Sequence, residues 1–338
     1  MEFNFTVIGQ KMFEPLLLTT QKIRERGHLI AGVSKGIFGL SYRAAEAAPW
    51  QGFDVDLARA VAVAVLGDAQ AVQYVSIAPE QRCAAVASGL VDIGTFNASA
   101  TLGRETTHDV FFPQAMLYDG EAMMVRAADM AGIAPEAGVR GLSKRIVAVQ
   151  QGATTAVKLE RFFGDCDIDY ELRAFATPDE ALAGYASGQC NIYALDLIPL
   201  SGERLRLADA DEHVILDEHI SKEAMGPVVS SRDTDWLRAV TWILRSLIEA
   251  EELGLNSSNC RHLPDTLAPH LHAFLHPSAD KLARLGLQES FPFKILQQVG
   301  NYGEIFNNNL GCASPLNMPR HRNALSSHGG LMISPSFQ

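Results

Sequence analysis

No apolar run in this chain approaches the roughly 18–20 residues of a membrane-spanning helix, so no such span is expected. Basic residues are in the minority: 28 Lys and Arg stand against 39 Asp and Glu, a formal charge of −11 at pH 7. Phosphate binding needs a basic footprint, which argues against nucleic acid as a partner. Cysteine is scarce: Cys83, Cys166, Cys190, Cys260 and Cys312 form no C-x-x-C pair, and an odd count points to reduced thiols. The histidines are scattered, His270 and His272 included, so no close Cys/His spacing suits a zinc ion and no metal or cofactor is expected. Also missing are G-x-G-x-x-G, a Walker loop, G-x-S-x-G, a locally supported Ser-His-Asp order and a Cys with a nearby His. Those absences argue against an enzyme. The start, MEFNFTVIGQKMFEPLLLTTQKIRERG, lacks the basic residues and the uninterrupted apolar stretch of about 7–15 residues that a secretory signal needs. Glu2 is acidic, and Gln10, Lys11, Glu14 and Pro15 break every apolar run.

What is present is a soluble globular composition, 47% hydrophobic and 20% charged, over 338 residues, a length that suggests two domains. A phrase recurs. Residues 86–97 read VASGLVDIGTFN and residues 185–196 read YASGQCNIYALD, with the A-S-G-x-x-[DN]-I core displaced by 99 positions (187 − 88). The repeat extends back to 72 and 170, and in each copy it reads strand, Pro-led turn, helix, Gly stop, strand. Thr177, Pro178 and Glu180 supply an N-cap, a first-turn proline and a capping-box acid, while Gly89 and Gly188 suit left-handed helix ends. Each copy is a βαβ unit, so parallel sheet is predicted in two like lobes.

Further strands are predicted at 28–34, 146–150 and 226–231, and helices at 53–67, 155–163 and 234–254. In the last, Trp236, Val240, Ile243, Leu244 and Leu247 share one face. The tail after about 300, rich in Asn, Pro, Gly and Ser, reads mostly as loop.

Ligands of open parallel sheets gather at the carboxyl ends of the strands. Asn97 and Asp196 close the two copies there, and facing lobes would set them on opposite walls of a cleft. Asn97 opens N-A-S-A-T-L-G-R (97–104), whose hydroxyls, backbone N–H groups and Arg104 suit a carboxylate; the same stretch also reads as a helix cap. The QGATT loop (151–155), with Gly152 and Thr154, carries the same two readings. Asp196, inside the apolar IYALDLIPL, needs a cationic or N–H partner, either a ligand ammonium or an internal arginine. An Arg with hydroxyls, faced by a lone carboxylate, is complementary to an α-amino acid.

At these residues the chain resembles family 3 solute-binding proteins, the polar amino acid-binding proteins of bacterial ABC importers, and within them the general L-amino acid subgroup. The resemblance is carried by WQGFDVDLARAVAVAVLGD (50–68), the loop ending at Arg104, YDGEAMMVRA (118–127), QGATT, SGQCNIYALD, ISKEAMGPVV (220–229), AEELG (250–254) and VGNYGEIFNNNLGCASPLN (299–317). It implies a two-lobed α/β periplasmic-binding-protein-like fold of type II, each lobe a mostly parallel sheet flanked by helices, joined by two hinge strands near 124–127 and 220–228. Its divisions would be an N-terminal extension (1–19), lobe I (20–125 plus 227–300), lobe II (126–226) and a C-terminal extension packing on the domain (301–338). By the same resemblance Arg104 and Ser99 bind the ligand α-carboxylate with Thr154 from lobe II, and Asp196 accepts the α-ammonium. Arg82 helps select side chains, although it also reads as a solvated helix residue, and Phe96, Asn97 and Ile37 line the cleft. The implied partners are a free amino acid and the permease subunits of an importer, for a monomeric protein of the periplasm; the missing export signal leaves the cytoplasm as the alternative. Three departures stand out. Phe96, Ala98, Ser99 and Ala100 replace Arg and Thr-Thr-Trp; Ala148 and Cys190 stand at the positions of the subgroup's paired cysteines, so that disulfide cannot form; and Ala156 replaces a Glu. They admit a second reading, a non-exported lyase resembling cyclohexadienyl dehydratase. That enzyme would need a general acid in the cleft, and no residue is assigned to that role.

Overall fold

The computed structural model describes residues 18–34, 36–151, 155–217, 220–264 and 267–337. Its strands are β1 (Leu29–Val33), β2 (Val72–Ser76), β3 (Ile93–Ser99), β4 (Val110–Phe111), β5 (Leu117–Asp119), β6 (Glu121–Arg126), β7 (Ile146–Gln150), β8 (Glu171–Phe175), β9 (Ile192–Asp196), β10 (His213–Ile215) and β11 (Glu223–Ser230). They form two sheets. The first has the order β2-β1-β3-β11-β4, with β5 also paired to β11; the second has the order β10-β6-β9-β7-β8.

The repeat appears in both sheets as the same arrangement. β2 and β3 lie either side of β1, all parallel, and β8 and β9 lie either side of β7 in the same way. In each sheet the next strand runs antiparallel, β11 beside β3 and β6 beside β9. The repeat helices are Arg82–Ala87 and Pro178–Ala186, and the second starts as predicted, with the Thr177 hydroxyl accepting the Glu180 N–H at 3.2 Å. Gly89 and Gly188 have φ of 77° and 79°, a backbone that β-carbons disfavour.

The lobe boundary lies earlier than expected on both passes. β6 is wholly a strand of the second sheet, so the chain crosses at Gly120 rather than near 125, and it returns before Glu223 rather than at 227. The first sheet keeps Asp119 and Glu223 as register partners, so on the first pass Gly120 alone lies between strands of the two sheets. A β-carbon on Gly120 would meet the Ser221 carbonyl oxygen at 2.5 Å; only glycine lets the two crossing segments touch.

Helix Phe53–Leu66 is buried on nearly every side, beyond the single stripe of a surface helix, because it lies between the first sheet and the helices Thr234–Glu252 and Phe291–Gln298. The stripe Trp236, Val240, Ile243, Leu244 and Leu247 is buried as predicted, and the Asp233 carboxylate caps its helix. The C-terminal segment is mostly loop, as predicted, but it holds one α-helix that the composition did not suggest. Asn301 and Glu304 form a capping box that starts helix Tyr302–Asn309, whose Tyr302, Ile305 and Phe306 join the first-lobe core with Leu316, Leu325 and Met332 further on. In the second lobe Ala148 and Cys190 share one buried cluster, and all five cysteines are free thiols. Among the described residues no helix is long and apolar enough to cross a membrane.

Candidate ligand-binding cleft

The first-lobe wall is built at the ends of β1 and β3. Ser34, one residue past β1, accepts from Arg82 Nη2 at 2.6 Å and donates to Asn97 Oδ1 at 2.6 Å. The Arg82 guanidinium lies 5.3 Å from the centre of the Phe96 ring, and its Nε is buried with no partner among the described residues. Phe96 itself is 0% exposed and packs with Ile77, Val86, Val91 and Val228. It therefore does not line the cleft as expected; it backs Arg82 from inside the core. The reason is local, since β-carbons at Gly32 and Gly94 would stand 3.2 and 2.2 Å from that ring, and glycines leave it room.

Asn97 also departs from expectation, because β3 continues past it to Ser99 rather than opening into a loop. It holds φ at 47°, a left-handed conformation that Asn tolerates better than most residues. Its N–H reaches Asp54, the second residue of helix Phe53–Leu66 and 5% exposed. Burial pushes the Asp54 carboxyl up to about 7, against the pull of Arg82 and the Asn97 N–H. Arg104 sits in the short helix Leu102–Thr107, capped by Thr101, and its Nη1 donates to the Ser99 carbonyl at 2.5 Å. Arg82 is lowered first by burial and then, although Asp54 opposes, by the Arg104 charge, so two guanidiniums share this wall. Ile37 forms a small bridge with Ser41 and leans on the first-lobe core. Thr154 and Gly152 lie outside the described residues.

On the second-lobe wall Asp196 ends β9, opposite Glu121 at the start of β6. Its Oδ1 is buried with no partner among the described residues. Burial first, then the Glu121 and Glu223 charges, push its carboxyl up to about 6, with Lys158 opposing. Lys158 Nζ donates to the two Glu121 carboxylate oxygens at 2.7 and 2.8 Å and to Glu223 Oε1 at 2.6 Å. Thr155 and Ser221 hydroxyls complete the shell of Glu121. Burial raises Glu223, but bonds from Lys158 and the Ser99 hydroxyl outweigh it and hold the group below the usual carboxylate range.

Glu223 joins the two walls. It bonds Ser99, feels the Arg104 charge, and is itself felt by Asp196. Around it three carboxylates, Glu121, Glu223 and Asp196, share the one ammonium of Lys158. The second-lobe side calls for a cation and the first-lobe side, with Arg82 and Arg104, for an anion. Among the described residues no group of three or more His, Cys, Asp or Glu could hold a metal ion.

Sequence reading missed Ser34, Asp54, Glu121, Lys158 and Glu223. Glu121 and Glu223 had a signal, each being the acid that opens an apolar strand at a crossing point. Lys158 had little, since it stands one position beside the buried stripe of Thr155, Leu159 and Phe163.

The model of the bacterial extracellular solute-binding proteins, family 3, matches residues 29–256. The general L-amino acid-binding periplasmic protein AapJ of Rhizobium johnstonii is 36% identical over 94% of this chain and 92% of its own length. The glutamate/glutamine/aspartate/asparagine-binding protein BztA of Rhodobacter capsulatus is 35% identical over 95% and 93%. Among solved structures, a periplasmic binding protein from Brucella ovis with glutathione bound superimposes with a TM-score of 0.84, at 35% identity over 95% of this chain and 99% of that one.

Proposed function

The chain belongs to the bacterial extracellular solute-binding proteins of family 3, and from that premise we propose that it binds a free L-amino acid between its lobes and presents it to the permease of an ABC importer. Periplasmic action, as the names of the Rhizobium johnstonii relative and the Brucella ovis structure have it, is part of the proposal. The observation that carries it is the opposed charge of the two walls: paired guanidiniums on one, and on the other, among excess carboxylates, an Asp196 oxygen with no partner among the described residues.

A zwitterion answers both demands at once. Its carboxylate goes to Arg104 and Ser99, with Thr154 the expected second-lobe donor, and its ammonium goes to Asp196. Arg82, held by Ser34 and backed by Phe96, stands where the ligand side chain is selected. Because the two charged ends are held by different lobes, only the closed form satisfies both, and ligand shifts the hinge toward closure. The short crossings at Gly120 and just before Glu223 are the places where the backbone turns.

Isothermal titration of the purified chain with each of the twenty amino acids, and with prephenate and arogenate alongside a product assay, tests this reading. Saturable binding of one or more amino acids without turnover, abolished in Arg104→Ala, is expected. Turnover of prephenate or arogenate would make the chain a lyase, and unaltered amino acid binding in Arg104→Ala would remove the carboxylate assignment.

A further inference from the structure

Behind the crossing segments lies a cavity of about 400 Å³ whose walls come from both lobes. Leu197 and Arg204 face it from the second-lobe helix Leu197–Leu205, Leu216 from the end of β10, Met318 and Arg322 from the C-terminal segment, and Asp119 from the first crossing. Its volume is within the range of small-molecule sites.

Three polar side chains in it lack adequate partners. Asp119 is 7% exposed; its Oδ2 accepts a long 3.4 Å bond from the Ile198 N–H, the Gly120 N–H also bonds the carboxyl, and its Oδ1 has no partner among the described residues. Among the described residues Arg204 makes one 3.5 Å bond, to the His213 carbonyl, and its buried Nε has no partner. Arg322 has no ion-pair partner among the described residues. Neighbouring Arg320 shows the contrast, being engaged by Glu251 and by the Asn323 carbonyl. Buried polar atoms are partnered as a rule, so Asp119 Oδ1 and Arg204 Nε call for a ligand, and the half-buried Arg322 adds a cation beside them.

We propose that the cavity is a second ligand site, adjoining the cleft wall at Glu121 and Ser221 but not lined by Arg104 or Asp196, which takes a small carboxylic acid with an apolar body and is coupled to lobe closure. The acid's carboxylate meets Arg204 and Arg322, and its hydrocarbon part lies on Leu197, Leu216 and Met318. Burial, and then the Asp196 charge, push Asp119 up to about 8, which leaves it a neutral carboxyl able to donate to a ligand oxygen. A ligand touching both lobes prefers one hinge angle over the other, and by linkage it alters the affinity of the cleft.

The probe is 4-methylpentanoate, which has no ammonium to offer Asp196, titrated calorimetrically into the full chain. Binding is expected in wild type and in Arg104→Ala. It is expected to weaken by at least about tenfold in Arg322→Ala and to vanish in Arg322→Glu, since a charge-assisted bond is lost and then reversed. Saturating probe is also expected to change the affinity of the cleft for its amino acid. Absence of binding in wild type, binding unchanged in Arg322→Glu, or loss in Arg104→Ala overturns the site; an unaltered cleft affinity overturns the coupling. Should the cleft bind no amino acid at all, the probe titration still reads the cavity independently.

Discussion

Replacing Asp196 by Asn, and titrating pH beside it, probes the centre of the proposed mechanism. Its carboxyl, raised to about 6, is almost fully ionised at pH 7.5 and about ten parts protonated to one ionised at pH 5. An amino acid's ammonium keeps its proton throughout this range. Binding requires the ionised carboxylate, so the apparent Kd of wild type should rise about tenfold between pH 7.5 and pH 5, with its midpoint near pH 6. The sign is fixed, because protons compete with the ligand ammonium for one group. In Asp196→Asn the ammonium meets no opposing charge on Asp196 in a water-poor cleft, at a cost of about 3 kcal/mol, or roughly a hundredfold in Kd at pH 7.5. The acid-side loss should then disappear from its profile. Calorimetry in buffers of different ionisation enthalpy checks the proton count as well as the affinity. Asp54, which ionises near 7 on the other wall, is controlled by Asp54→Asn in parallel. A wild-type affinity flat from pH 7.5 to 5, or an Asp196→Asn affinity within about threefold of wild type, would refute the reasoning.

Lys158→Met leaves the buried Glu121 and the nearby Glu223 without their ammonium and should cost about 2–4 kcal/mol in urea unfolding, with Glu121→Gln in the same chain recovering much of it. Asp119 is raised in the folded state, so the fold loses stability as pH climbs from about 4 to about 8; Asp119→Asn should gain on the order of 4 kcal/mol more at pH 8.5 than at pH 5, read by urea unfolding at both. Asn301→Ala removes the capping box of helix Tyr302–Asn309 and should lower stability by about 1 kcal/mol without altering ligand affinity in calorimetry.

The fold was legible wherever one stretch of chain carries its own instruction. Proline, glycine and cap residues mark both copies of the βαβ unit, and the 99-residue offset announces a second lobe before any contact is known. What stayed hidden depends on partners distant in sequence. Nothing local to Glu121 says that Lys158 will meet it, and nothing local to Phe96 says that Gly32 and Gly94 make space for it inside the core. The crossing points were misplaced for the same reason: YDGEAMMVRA is strand-like throughout, and only pairing divides it between two sheets at Gly120. The missed helix at 302 is different, since Asn301 and Glu304 have the spacing of a capping box in the sequence itself, and a composition rich in Asn outweighed that cue.

The second lobe is one uninterrupted piece of chain from β6 to β10, while the first is split around it and receives β11, the strand beside β3, only after the second is complete. During synthesis the second lobe emerges with every strand it needs, whereas the first must wait, β3 unpaired on one side, until β11 arrives. Its core then closes last of all, when Leu316, Leu325 and Met332 leave the ribosome. A chain shortened by some twenty residues at its end should therefore yield a folded second lobe attached to a first one whose sheet is complete but whose core lacks Leu325 and Met332, a product prone to aggregate through the apolar surface left uncovered.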